Sequence, residues 1–301
     1  MRCWIKIIML GFILLPSLNG VAQTTTLQVV SKKVEKSWPY VDGAEVSIEG
    51  EKAEIKVKTW ESEKVRILVE IISKHPNKRT AEKDLDAMVY SAQQHGDNIY
   101  FRNYINKDTK PESDLSVIYT VTLPEDCPVY LKNHFGLTYV DDLKSNLTIN
   151  SEFSKIFLNN LKGNIGVTTR FGDLDGRSID GDVRINSRRS DITLHEIKGN
   201  WDINSQYGVI KLFSVPYPTA GLLSLNIDAV KSDVYFFDPE PTLYGYNLVA
   251  HYGTITAPVD LKFNFLENTK ELKKAIFSSQ VGRQNAISIK ISFGDIIIRN
   301  P

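Results

Sequence analysis

The chain has 301 residues, 42% hydrophobic and 24% charged, the composition of an ordinary soluble globular protein of about two domains. Its 36 Lys and Arg offset 36 Asp and Glu. That balance excludes the strongly basic surface that marks nucleic-acid or acidic-membrane partners.

The first residues read as a targeting segment. Arg2 and Lys6 precede the apolar run Ile7 to Leu15, Pro16 and Ser17 break it, and Gly20-Val21-Ala22 ends in small residues before Gln23. This order predicts a secretory signal over residues 1–22, cleaved after Ala22. The run falls well short of the ~20 residues a membrane helix needs, so the mature chain is expected to carry no transmembrane segment. Cys3 sits at the wrong end of the run for a lipid-anchored cysteine. The expectation is export to the periplasm or cell surface, not as a lipoprotein. Only Cys127 then remains, so no internal disulfide is expected and the exported fold must rest on hydrophobic burial. Its apolar neighbours Leu123, Pro124 and Val129 predict a buried, inert thiol.

Residues 23–128 alternate in short runs: Ala44 to Glu49, Ala53 to Trp60, Val65 to Ile72, Asn98 to Arg102 and Leu115 to Leu123. Period-2 alternation in Val, Ile, Tyr and Thr predicts half-buried strands. One helix is expected between them, capped by Thr80, with Leu85, Met88 and Val89 at helical spacing and Gly96 ending it. This stretch reads as a β-rich N-terminal capping region.

From Val129 to Leu212 an 18-residue pattern repeats without a gap: VYLKNHFGLTYVDDLKSN, LTINSEFSKIFLNNLKGN, IGVTTRFGDLDGRSIDGD, VRINSRRSDITLHEIKGN and WDINSQYGVIKL. Repeats of this length mean a solenoid, in which each unit buries its apolar face against its neighbours. Three columns are apolar and face inward: Val129, Leu147, Ile165, Val183 and Trp201 with Leu131, Ile149, Val167, Ile185 and Ile203; Ile156, Leu174, Ile192 and Ile210 with Val140, Leu158, Leu194 and Leu212; and Leu143, Leu161, Ile179 and Ile197. Ser145-Asn146, Gly163-Asn164, Gly181-Asp182 and Gly199-Asn200 form one corner. A second corner follows Phe135, Phe153, Phe171 and Tyr207, where stacked aromatics support parallel in-register pairing, as do the amides of Asn150, Asn186 and Asn204. No helix pattern interrupts the registers, which excludes ankyrin-like and leucine-rich arrays. Leu223 to Phe237, Tyr246 to Ala257 and Ile287 to Arg299 continue the logic, so residues 129–301 are expected to form the solenoid. Loop excursions fall at 215–221, 238–245 and 258–285, and Leu266 to Phe277 is expected as a short helix.

The layout resembles the putative-adhesin domain family of Bacteroidetes, the auto-transporter-adhesin-head type of domain of unknown function. The matching features are Val21-Ala22-Gln23, the Ile118-to-Pro124 stretch, the Phe/Tyr-Gly-Asp/Thr-Ile corners and the closing Phe293-Gly294-Asp295-Ile296. The resemblance spans nearly the whole mature chain. It implies an all-β fold, a single-stranded parallel β-helix, right-handed by the general chirality of parallel crossovers. It carries over no catalytic motif.

Candidate chemistry is sparse. Asp173, Asp175, Asp180 and Asp182 could offer oxygen ligands to calcium. Their spacing matches neither an EF-hand loop nor a calcium β-roll, and turn chemistry accounts for the same aspartates. Arg170, Arg184, Arg188 and Arg189 lie near these acids, an arrangement that surface ion pairs also explain. His75, His95, His134, His195 and His251 form no short zinc motif. There is no nucleophile elbow, phosphate loop or dinucleotide glycine pattern, so no cofactor is expected.

These features predict an exported, non-enzymatic envelope protein whose extended face binds polysaccharide or another envelope protein. Tyr130, Tyr139 and Tyr252 are the expected sugar-stacking residues, with Arg188 and Arg189 as ligand contacts. A lyase-like enzyme would instead require Asp173, Asp175, Arg188 and Arg189 to converge in one groove. A purely structural assembly component would bind no glycan.

Overall fold

The structure is a computed structural model that describes residues 26–214, 221–279 and 286–300; the expected signal segment lies outside them. The chain is all-β with a large, mostly parallel sheet. The N-terminal part contains β1 (Gln28–Pro39), β2 (Val46–Glu51), β3 (Ala53–Thr59), β4 (Lys64–His75), the helix α1 (Lys78–Asp84), β5 (Met88–His95), β6 (Asn98–Ile105) and β7 (Asp114–Leu123). The repeats form β8 (Val129–His134), β9 (Leu137–Asp141), β10 (Leu147–Glu152), β11 (Lys155–Arg170), β12 (Leu174–Arg188), β13 (Ile192–Ser214) and β14 (Leu222–Phe237). The C-terminal part holds β15 (Gly245–His251), β16 (Ile255–Thr256), β17 (Asn264–Asn268), β18 (Leu272–Phe277), β19 (Ala286–Ser292) and β20 (Ile296–Arg299).

The repeat acts directly as pairing register. Leu147 pairs in parallel with Ile165, Ile165 with Val183 and Val183 with Trp201, each step moving one 18-residue unit. Ile149, Val167, Ile185 and Ile203 are buried on these paired strands. Because period-2 alternation keeps like residues above like, each layer places its Val, Ile or Leu on the one below. Each fully buried side chain of this kind contributes roughly 1.5–3 kcal/mol.

The apolar columns do not begin at Val129. In β2, Val46 pairs with Val129 and Ile48 with Leu131; beyond them in β6, Ile99 and Phe101 pair with Val46 and Ile48. One hydrophobic cluster runs from this end through Ile298. At both ends the stacking order departs from chain order. β2 and β3 lie between β6–β7 and β8–β9, and β19 lies between β14 and β15. Strands β2 and β3, and at the other end β19 and β20, are thus held inside the stack, whereas β1 lies at its margin. Antiparallel strands complete the margins: β4 pairs with β7 and β1, β5 with β6, and β18 with β15 and β17. The outermost β1 carries Lys32, Lys33 and Lys36 and ends at Pro39, features that discourage edge-to-edge pairing.

Two helix expectations are corrected. The N-terminal helix is capped by Asn77, whose side chain accepts from the Arg79 and Thr80 amides, and it stops at Asp84. A 3₁₀ turn, Leu85–Ala87, follows, and Met88 to His95 is strand. The Met88 side chain is buried under Asn103, so tertiary pairing with β6 overrides the local helical spacing. Likewise Leu266 to Phe277 contributes to the β17–β18 hairpin, with Phe265 opposite Ala275. Of the 215–221 excursion only Gly221 is described, and residues 280–285 are outside the described set.

Candidate functional site

Each layer turns its second corner through a single residue in the left-handed region. Lys52, Phe135, Phe153, Phe171, Arg189, Tyr207, Lys231, Phe293 and Tyr252 all have φ between 50° and 60°. For bulky residues this conformation is strained, by ~1–3 kcal/mol each. The next residue explains why the corner is kept. At Gly172 an added Cβ would sit 2.0 Å from the Ser154 carbonyl oxygen, so the chain approaches its neighbour too closely for a side chain there. Where the following residue is serine, its hydroxyl accepts from the glycine amide of the adjacent layer, as Ser154 does from Gly136 at 2.9 Å. Inside the corner, Thr169 donates to the Gly172 carbonyl at 2.9 Å and Asn133 donates to those of Ala53 and Leu137.

The strained residues form a surface ladder. Phe135, Phe153 and Phe171 stack with centroids 5.0 and 4.8 Å apart and planes within 6°. The Arg189 guanidinium lies over Phe171, and the Lys231 ammonium lies 5.1 Å from the Tyr207 ring. Tyr252 stacks on Phe293 at 5.2 Å. Phe135 is 53% exposed and Tyr252 58%. Because neighbouring rings cover the ring faces within the ladder, the parts open to solvent are mainly edges, the positive side of the aromatic quadrupole.

Beside the ladder, the outward positions of the parallel strands form a polar face. One open groove of ≈ 440 Å³ is lined by Thr168, Arg170, Asn186, Arg188, Asn204 and Gln206, among others. A longer groove of ≈ 830 Å³ follows an amide ladder in which Asn164 donates to Asn146 and Asn200 to Asp182.

The residues singled out from sequence do not converge. Tyr130 is half-buried, and its hydroxyl accepts from Asn150 at 3.2 Å. Tyr139 lies in a different column with one ring face packed on Phe157 at 4.8 Å. Tyr252 belongs to the ladder, in an outer layer. Arg188 lines the groove and Arg189 fills a ladder position. The aspartates have separate partners. Asp173 pairs with Lys155 and accepts from the Asp191 amide; Asp180 pairs with Lys162; Asp182 accepts from Asn200. Asp175 lines another groove, with Phe157, Arg177 and His195. Among the described residues no group of three or more His, Cys, Asp or Glu is placed to hold a metal ion. The four aspartates named as candidate calcium ligands fall in different columns, because period-2 alternation and the corner spread them apart. For the same reason Asp175 does not share the groove of Arg188, as a lyase would need.

Sequence reasoning missed Lys52 and Lys231, and named Arg170 only as a neighbour of the aspartates. The signal was present at the seventh position of the repeat, where Phe, Phe and Phe give way to Arg189 and then Tyr207.

Titration is perturbed away from this face. Burial pushes the Cys127 thiol up to about 12, with the Asp126 carboxylate adding to the effect. Burial raises the Asp238 carboxyl above its ordinary value, opposed by its bonds to the Ser214 hydroxyl and the Glu240 amide. Among the described residues no helix is long and apolar enough to cross a membrane.

No family model and no curated protein match the chain. Among solved structures it is similar to a protein of Parabacteroides distasonis ATCC 8503 described as a putative adhesin, at 13% identity and TM-score 0.46, over 89% of this chain and 97% of that one. It is also similar to a putative adhesin of Bacteroides fragilis NCTC 9343, at 10% identity and TM-score 0.41, over 90% and 97%. A third similar structure is a protein of Parabacteroides distasonis ATCC 8503 described as a putative lipid binding protein, at 12% identity and TM-score 0.40, over 88% and 96%.

Proposed function

We propose that the chain is an exported envelope protein that binds a linear polysaccharide along one side of a right-handed, single-stranded parallel β-helix. In this reading residues 1–22 direct export, residues 23–128 cap the helix and residues 129–301 build it. The polar face and its bordering ladder act by binding, not by turnover.

The observation that carries the reading is the left-handed column. Nine residues across successive layers adopt the same strained conformation and hold aromatic or cationic side chains at the surface. Spaced ~4.8 Å per layer, the column extends about 40 Å. Strain repeated to display side chains outward supports a recognition role. A periodic face suits a periodic ligand.

A glycan array of the purified protein, with and without calcium, tests this. The expected outcome is retention of at least one linear polysaccharide, weakened by Phe153→Gly, which removes a ring while relieving its strain. An array blank for every glycan, with an envelope protein recovered by crosslinking, would favour the structural assembly role instead.

A further inference from the structure

We propose that the groove beside the ladder is a subsite for acidic groups, carboxylate or sulfate, on the bound polysaccharide, and that Arg170 and Arg188 are its principal contacts. This deepens the binding reading above and rests on it.

Arg170 and Arg188 are Cα partners on adjacent parallel strands, and both side chains are exposed. Like charges set directly opposite one another destabilise a sheet. Several arginines and lysines nearby have carboxylate partners: Arg184 with Asp202 at 3.7 Å, Arg177 with Glu196 at 3.9 Å and Lys155 with Asp173 at 3.6 Å. Among the described residues neither Arg170 nor Arg188 has one. Two acids stand close in the register. Glu152, opposite Arg170, lies 3.3 Å from the His134 ring, an ion pair when that ring is protonated; Asp228, in the groove wall, pairs with Lys290 at 3.6 Å.

The surroundings complete an anion site. Thr168, Asn186, Asn204 and Gln206 supply neutral hydrogen-bonding groups around the two guanidinium groups. On the ladder side, Arg189 lies between Phe171 and Tyr207, and the exposed ring edges carry partial positive charge. Arg170 and Arg188 are separated along the stack by one layer, ~4.8 Å, a spacing that suits acidic groups borne along one chain. Planar guanidinium groups bind carboxylate and sulfate by paired hydrogen bonds. Since the chain as a whole is neutral, attraction is local and falls as salt rises.

Affinity electrophoresis of the purified protein against polygalacturonate, dextran sulfate and unmodified dextran tests the site. At least one acidic polymer should bind at least about tenfold more tightly than dextran, and added salt should weaken it. The R170Q/R188Q double variant should lose about tenfold for that polymer. R170K/R188K should keep part of it, and Arg184→Gln should change it less than about twofold because Arg184 is already paired. Both substituted side chains point to solvent, and an unchanged melting curve confirms the fold. Preference between the two polymers separates carboxylate from sulfate. Binding of a neutral glycan with neither acidic polymer retained overturns the acidic subsite and leaves glycan binding standing. Retention unaffected by R170Q/R188Q overturns the assignment to these arginines. Failure to retain any glycan overturns both readings.

Discussion

The Arg189 guanidinium lies 5.2 Å from the centre of the Phe171 ring and 5.8 Å from that of Tyr207. A cation thus occupies one layer of a column that is aromatic on both sides. Its backbone φ, 55°, is close to those of its aromatic neighbours Phe171 and Tyr207, 57° and 60°, so the corner conformation is set by the fold and the side chain by the surface. The same substitution recurs one layer beyond Tyr207, where Lys231 lies over that ring. Ring–ring and ring–cation contacts run from Phe135 through Lys231, and again between Phe293 and Tyr252.

Arg189→Ala should therefore cost about 1 kcal/mol, the sum of two exposed cation–π contacts, because Ala keeps the strained φ and loses both rings. Arg189→Phe should stay within about 0.5 kcal/mol of the parent, since a ring restores stacking of similar worth. Denaturant midpoints of the two variants check this. Equal losses in both would show that Arg189 contributes through something other than the two rings.

A larger effect is expected at the first corner. Gly181 has φ of 151°, and a Cβ there would sit 2.0 Å from the Gly163 carbonyl oxygen. The obstructing atom is backbone, so relief requires two layers to separate. Gly181→Ala should cost about 3 kcal/mol or more, seen as a lower denaturant midpoint and poor soluble yield. A loss below about 1 kcal/mol would mean that the layers part easily there.

How much of this could be read from the sequence depended on whether spacing or environment decided the outcome. The inward columns were legible because register fixes both burial and partner: once Ile149, Val167 and Ile185 repeat every 18 residues, parallel stacking follows. The Phe-Gly-Asp corners were legible as turns, but their mechanism was not. Asp191 accepts from the Val209 amide one layer away at 2.8 Å, a contact invisible without the stack. Met88 to His95 misled because its helical spacing is local, whereas its pairing partner β6 is supplied by the fold. The insertion of β19 between β14 and β15 left no trace in the sequence either, since all three strands carry the same pattern. At the candidate face, Arg170, Arg188 and Arg189 were visible as residues, but that Arg170 and Arg188 lack acidic partners among the described residues depends on how the layers stack.

Cys127 should be unreactive in the folded protein. Its thiol is fully buried, and burial pushes it up to about 12 from an ordinary value near 9. Little thiolate then exists at pH 8, and reagent cannot reach it. For a chain lacking residues 1–22, and so Cys3, labelling with a thiol-specific chromogenic disulfide should be negligible until denaturant is added, then stoichiometric at one site. The sign for stability follows. The folded state keeps its proton while the unfolded state loses it above about 9, so this group's contribution declines as pH rises through that range. Rapid labelling of the native protein at pH 8 would contradict the buried placement.

Asp238 should show the corresponding effect at acid pH. It is buried, it accepts from the Ser214 hydroxyl and from the Glu240 amide at 2.7 Å, and among the described residues it has no cationic partner. Burial favours its neutral form, so its folded-state value lies above the ordinary 3.8. A group raised in this way contributes stability that is fully present below its unfolded value and is lost as pH climbs through the folded one. Asp238→Asn keeps an oxygen for the Glu240 amide and offers an amide to Ser214, while removing the charge. The variant should therefore melt higher than the parent at pH 7, and the difference should shrink as pH falls below the ordinary carboxylate range. Melting curves of both proteins from acid to neutral pH decide it. A variant less stable at pH 7 would mean that the ionised carboxylate is the form the native structure prefers.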